Sequence, residues 1–198
     1  MRGKLRNLCL LLLLFGFQTA CISTSPNPTV TISGVQNYIQ PNIHEWDIKA
    51  GIFIFTSDMG SRPFSYSFTR GFQKNLLRSS IFRTVKLIDL TIGTDELAIR
   101  KGKEFGLDYA IYGHINEFRS VVRADTKPFI SITFKIVDVR SGNTLWYIED
   151  SISGDAPEYK KLLRMHSAED YPPINYLAGR LIANIVGFLA DFKAQKGS

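Results

Sequence analysis

The side chains that carry chemistry are few in this 198-residue chain. Its three histidines, His44, His114 and His166, stand far apart, and no two share the spacing of a metal site. His114 follows Gly113 inside an apolar run, where a structural histidine is the expected reading rather than a catalytic one. A search for a nucleophile elbow of the Gly-x-Ser-x-Gly type, a P-loop or a Gly-x-Gly-x-x-Gly turn finds none, and Gly102 with Gly106 is too sparse to cradle a phosphate. Paired carboxylates are the remaining option. Glu117 with Asp138, or Asp108 with Glu149, would have to meet across a sheet to act as the acid and base of glycoside hydrolysis, and solvated surface acids are the better reading of all four. The sequence therefore predicts no catalytic residue, no metal site and no cofactor.

The two cysteines point elsewhere. Residues 1 to 7 are basic, Leu8 to Phe17 is an apolar run, and small or polar residues lead to Cys21, which is the layout of a secretory signal. An apolar run of about ten residues is half the roughly 20 needed to span a bilayer as a helix. Thr19-Ala20-Cys21 resembles the lipobox of bacterial lipoproteins, although Gln18 stands where that pattern usually has Leu. The resemblance implies that residues 1–20 are removed and that Cys21 becomes an acylated N-terminus, carrying palmitate among its chains. Cys9 leaves with the signal, so the mature chain keeps one cysteine and forms no internal disulfide. Ile22 rather than Asp follows Cys21, which favours the outer membrane with the domain facing the periplasm.

Charge excludes a further class of function. The formal +6 includes Arg2, Lys4 and Arg6, and without them the chain stands at +3. Runs such as Arg100-Lys101-Lys103-Glu104 mix signs or sit on exposed helix faces, so no nucleic-acid partner is expected.

Residues 21–48 are rich in Ser, Thr, Asn and Pro, which reads as a tether with at most one edge strand near Val30 to Ile32. Residues 49–198 read as one α/β domain. Gly51 to Phe55 suits a buried strand. Phe64, Phe68, Phe72 and Leu76, with Leu77 beside them, recur at the spacing of an amphipathic helix. Val85 to Ile88 is strand-like, and residues 95 to 105 form a second helix with Thr94 or Asp95 as its cap and Gly106 at its end. In residues 109 to 118, Tyr109, Ile111 and Ile115 alternate with Ala110, Tyr112 and Phe118, as in a strand buried on both faces. Ile130, Ile132, Phe134 and Ile136 alternate with polar residues, residues 140 to 143 turn, and Leu145 to Ile152 returns antiparallel. A charged connection over residues 155 to 173 precedes a terminal helix marked by Ile174, Leu177, Leu181, Ile182, Ile185, Leu189 and Phe192. The order β-α-β-α-β-β-β-α implies a three-layer-like mixed sheet with flanking helices. Most of the aromatic residues are core; Tyr66, Tyr112, Trp146 and Tyr147 are candidates for a partner interface.

Two stretches carry a family resemblance. Leu107-Asp108-Tyr109-Ala110-Ile111-Tyr112-Gly113-His114-Ile115 and Val137-Asp138-Val139-Arg140-Ser141-Gly142-Asn143-Thr144-Leu145-Trp146 resemble the periplasmic domain superfamily that includes CsgG, LpoB, PelC and the N-terminal domain of TolB. The motifs are structural: Gly113 permits close packing, Asp138 and Gly142 shape a hairpin turn, and Trp146 packs on the sheet. The chain lacks room for the two barrel-forming hairpins of CsgG-like members, and its tether is shorter than is usual in LpoB-like ones. In size it is most similar to PelC-like lipoproteins. The resemblance implies a non-enzymatic outer-membrane lipoprotein, an accessory or scaffold in an export or assembly complex, with other envelope proteins as partners and a possible homo-oligomeric ring. Activation of a peptidoglycan synthase, as in LpoB, is the alternative it implies.

Overall fold

The computed structural model describes residues 29–32, 36–37, 49–58, 62–120, 127–155 and 172–196. The expected order is present, preceded by two short strands: β1 (Thr29–Ile32), β2 (Gln36–Asn37), β3 (Lys49–Ile54), β4 (Thr56–Ser57), α1 (Arg62–Arg78), β5 (Thr84–Thr91), α2 (Asp95–Glu104), β6 (Tyr109–Arg119), β7 (Phe129–Asp138), β8 (Thr144–Asp155) and α3 (Ile174–Lys196). They build one mixed, open sheet in the order β1-β8-β7-β6-β3-β5. The two short strands β2 and β4 pair with β8 and β6. Strands β3, β5 and β6 run parallel, as helical crossovers require, while β6, β7 and β8 form antiparallel hairpins.

Helices α1 and α3 lie together on one face and α2 on the other. The four-residue spacing of α1 buries Phe68, Phe72 and Leu76 and half-buries Phe64, but Leu77 faces solvent, because a fifth apolar position falls off the stripe that touches the sheet. Phe55 is the hub of this core: its ring centroid lies 5.5 Å from Phe68, 5.3 Å from Phe72 and 6.4 Å from Phe134. Each such aromatic pair adds roughly 0.5–1.5 kcal/mol beyond area burial. Ile52 and Phe55 serve the α1/α3 side while Phe53 serves the α2 side. A break in the strand after Ile54 makes this possible, and the freed Phe55 N–H donates to Thr69 Oγ1 at 3.0 Å.

The alternation read for β6 fails at its end. Phe118 was expected on the face opposite Ile115, yet both pack into the α1/α3 core. A bulge at Asn116 inserts one residue, so Ile115 pairs with Ile132 and Phe118 with Ile130 on the same face of β7. The turn after β7 forms as the motif implied: Asp138 Oδ1 accepts from the N–H groups of Arg140 at 2.8 Å and Ser141 at 3.1 Å, and Gly142 takes φ +78°, which disfavours a β-carbon. Gly113 serves close approach instead, since a Cβ there would stand 2.4 Å from the Thr133 carbonyl oxygen of β7. Thr94 caps α2, its Oγ1 accepting from Leu97 N–H at 3.3 Å.

The edge strand expected near Val30 to Ile32 is β1, and it lies against β8 with Thr29 opposite Asp155 and Ile32 opposite Ile152. β2 continues along the same edge, Gln36 opposite Glu149. The chain therefore enters the sheet at the end where β8 finishes.

Candidate interaction surface

The residues that sequence reading tested for chemistry are dispersed by the fold. His114 is half-buried on β6, its Nδ1 2.7 Å from Thr56 Oγ1 and its Nε2 3.6 Å from Asp58 Oδ2, so it ties β4 to β6. Glu117 pairs in register with Ser131 and Asp138 with Tyr109, seven positions apart on β7 and thus separated by roughly 24 Å along the strand. Acid and base in glycoside hydrolysis stand within about 10 Å. Asp108 and Glu149 are also kept apart, because Glu149 sits opposite Thr133 in mid-sheet whereas Asp108 precedes the first residue of β6. Each acid is engaged where it stands. Glu117 Oε1 is 2.7 Å from Arg119 Nε, Asp138 holds its turn, Asp108 Oδ2 accepts from Lys49 N–H at 2.9 Å, and Glu149 accepts from the Tyr147 hydroxyl. Among the described residues no group of three potential metal ligands exists. Cys21, His44 and His166 lie outside the described residues, as does most of the charged connection over residues 155 to 173.

One polar cluster was not foreseen. The register sets Tyr112, Lys135 and Tyr147 side by side on β6, β7 and β8, and α2 lowers Asp95 onto them. Asp95 Oδ1 accepts from the Tyr112 hydroxyl and lies 3.3 Å from Lys135 Nζ, while its Oδ2 accepts from Thr144 Oγ1 at 3.3 Å. The Lys135 ammonium stands 5.8 Å from the Tyr112 ring centroid and 5.5 Å from that of Tyr147. Burial by itself would raise the Asp95 carboxyl, but the Tyr112 hydrogen bond, the Lys135 charge and bonds from Lys135 and Thr144 outweigh it and hold the group below its ordinary range. Burial and the same carboxylate push the Tyr112 hydroxyl far above the usual tyrosine range. The cluster latches the first turn of α2 to the sheet. In sequence, the cap at Thr94-Asp95 was visible, but its target depended on strand register.

Two further features bear on binding. A crevice of about 550 Å³ opens where β3 and β5 end, lined by Ile54 to Asp58, Arg62, Ser65 and Asp89 to Thr91. Parallel strands commonly place ligand sites at their carboxyl ends. The charged residues there are Asp58, Arg62 and Asp89, all exposed, and Arg62 pairs with Asp89 at 3.3 Å, so no buried charge converges on the space. Of the four aromatic residues expected at an interface, only Tyr66 is exposed; Trp146 and Tyr112 are buried and Tyr147 half-buried. Trp146 fills the space beneath α3, edge-on to Phe188 and Phe192 at 5.7 and 4.8 Å, because its strand position alternates onto the helical face.

No protein-family model and no curated protein matches the sequence. Solved structures do match the fold. The PelC dodecamer from Paraburkholderia phytofirmans superposes at a TM-score of 0.60 and 17% identity, over 82% of this chain and 98% of that one. A variant of that dodecamer in a second crystal form gives 0.59 and 17%, over 79% and 98%. The LpoB C-terminal domain from Salmonella enterica lies further off, at 0.37 and 13%, over 56% and 86%. The chain thus has the PelC-like fold that its two motifs resemble.

Proposed function

We propose that this protein is a non-enzymatic lipoprotein of the outer membrane, anchored through Cys21 and facing the periplasm, which self-associates and serves as a docking component of an envelope export or assembly complex. The observation that carries the reading is the fold itself, which spans nearly the whole of a protein that assembles as a dodecamer. The site geometry is consistent with it, since the acids, the histidine and the tyrosine–lysine cluster on described elements serve as clamps. Each buried CH₂ of an acyl chain adds about 0.8 kcal/mol, so two or more chains on Cys21 give persistent anchoring.

The test compares the intact mass and membrane fractionation of the wild type with Cys21→Ala, and measures the size of the detergent-solubilised protein by light scattering. A mass raised by acyl chains, outer-membrane recovery lost in Cys21→Ala, and a discrete homo-oligomer are expected. An unmodified soluble monomer would refute the proposal.

A further inference from the structure

The crevice beside β3 and β5 stands where the winding of the sheet reverses. β3 leads through β4 into α1 on one face, and β5 leads into α2 on the other. Between parallel strands whose connections leave to opposite faces, the carboxyl ends part and make room for a ligand. Two irregularities widen the gap here. Past Ile54 the chain follows β6, with Thr56 opposite His114 and Ser57 opposite Ile115. On the other side Phe53 faces Ile88 but Ile54 faces Thr91, so Asp89 and Leu90 have no partner position on β3. The resulting space of about 550 Å³ falls within the range of small-molecule sites.

One polar group lining this space is left unmatched by the fold. Ser65, near the start of α1, is only 5% exposed, and among the described residues nothing bonds its Oγ. A buried hydroxyl is nearly always bonded, and this one borders the crevice. Its neighbour Thr69 is used in both directions, donating to the Ser65 carbonyl at 2.7 Å and accepting from Phe55 N–H. The rim carries both signs of charge. The first turn of α1 holds Arg62 and no acidic residue, so the guanidinium reinforces the positive end of the helix dipole. Asp58 and Asp89 supply the opposite sign. Asp58 Oδ2 is turned toward His114 Nε2 at 3.6 Å, whereas Asp89 stands beside Arg62 at 3.3 Å with both side chains mostly exposed. Such an exposed pair contributes little and exchanges partners readily. Leu90, 41% exposed, adds apolar surface next to them.

A lone anion here would face two carboxylates, and a lone cation would face the guanidinium and the helix end. A ligand that carries both signs matches the whole rim. We propose that the crevice binds an apolar α-amino acid as its zwitterion, with the carboxylate on Ser65 Oγ and the Arg62 guanidinium, the ammonium on Asp89, and the side chain against Leu90. The two charges of an α-amino acid are joined through a single carbon, so they need an acid and a guanidinium side by side, which Asp89 and Arg62 provide. The site uses neither the Cys21 anchor nor self-association, and its test is independent of theirs.

Titration calorimetry of the full chain, purified in detergent, tests it with three probes: L-leucine, N-acetyl-L-leucine, which keeps only the carboxylate, and L-leucinamide, which keeps only the ammonium. Leucine should bind, and each blocked form should bind about tenfold more weakly or worse. Ser65→Ala, Arg62→Gln and Asp89→Asn should each weaken leucine by about tenfold or more, while the unliganded Tm shows that each variant is folded. Arg70→Gln, at an exposed position of α1 away from the crevice, should leave leucine binding unchanged. No binding of leucine, equal binding of either blocked form, or leucine binding that survives all three crevice substitutions overturns the inference.

Discussion

Replacing Gly113 with Ala tests the packing of the sheet at its tightest point. The added Cβ would stand 2.3 Å from Phe55 Cε1 and 2.4 Å from the Thr133 carbonyl oxygen, both well inside contact distance. Neither neighbour yields easily. Phe55 is wedged among Phe68, Phe72 and Phe134, and the Thr133 oxygen belongs to the backbone of β7. Overpacking typically costs 1–3 kcal/mol, and a backbone clash belongs near 3. The lower entropy of the unfolded alanine chain returns about 0.4–1 kcal/mol, leaving a net loss of roughly 2–3 kcal/mol. For a domain of this size that lowers Tm by about 5–10 °C. The same substitution at Gly179 is the control. There a Cβ meets nothing within 4 Å, inside α3, so Gly179→Ala should gain about 0.5–1 kcal/mol from helix propensity. Thermal and urea unfolding followed by circular dichroism read both variants. A Gly113→Ala loss under about 1 kcal/mol would show that β6 and β7 can part without cost, and the close-packing role of that glycine would be wrong.

Two carboxyls, Asp150 buried and Asp95 half-buried, should titrate with opposite effects. Burial raises Asp150 against the lowering bonds from Asn184 and Ser151, so its stabilising form is the neutral one, complete below pH 3.8 and lost as pH rises through the raised value. Asp150→Asn, which can keep a bond to a flipped Asn184, should therefore be the more stable protein at pH 7, with the difference vanishing in acid; a loss at pH 7 would contradict this. Asp95 is lowered, so its contribution is present above pH 3.8 and disappears as pH falls through the depressed value. Asp95→Asn should be less stable at pH 7 and equal to wild type in strong acid, as read by urea midpoints across pH. Trp146 is fully buried and its Nε1 has no hydrogen-bond partner among the described residues. Trp146→Ala should cost about 3–5 kcal/mol by opening a cavity, whereas Trp146→Phe should cost less than half of that, since it also deletes an orphaned N–H worth about 1–3 kcal/mol.

The periodic parts of the fold were legible because each obeys one local rule. Phe68, Phe72 and Leu76 mark α1 by their spacing, Ile130 to Ile136 mark β7 by alternation, and Asp138 with Gly142 mark a turn whose bonds close within six residues. What escaped depends on partners far away in sequence. Phe118 changed face through one bulged residue, Trp146 looked like an interface residue until α3 was laid over it, and Asp95 found Lys135 forty positions away. The engagement of Asp108 with Lys49 N–H was not legible either, because it needed the two strands side by side.

An exposed sheet edge invites pairing with other chains, and the two edges here are treated differently. On the β8 side, β1 and β2 cover the ladder over Ile152 to Asp155 and Ile148 to Glu149, so the segment that leads from Cys21 also seals an edge. Stripping β1 would open the edge of β8 over Ile152 to Asp155. On the β3 side, β5 remains the outermost strand, with Thr84, Lys86, Asp89 and Thr91 exposed along it. Charges on an edge resist indiscriminate pairing while leaving the backbone available to a partner that can satisfy them. Under the self-association proposed above, copies would use helix faces or the β5 edge, because β1 and β2 already pair along the β8 edge.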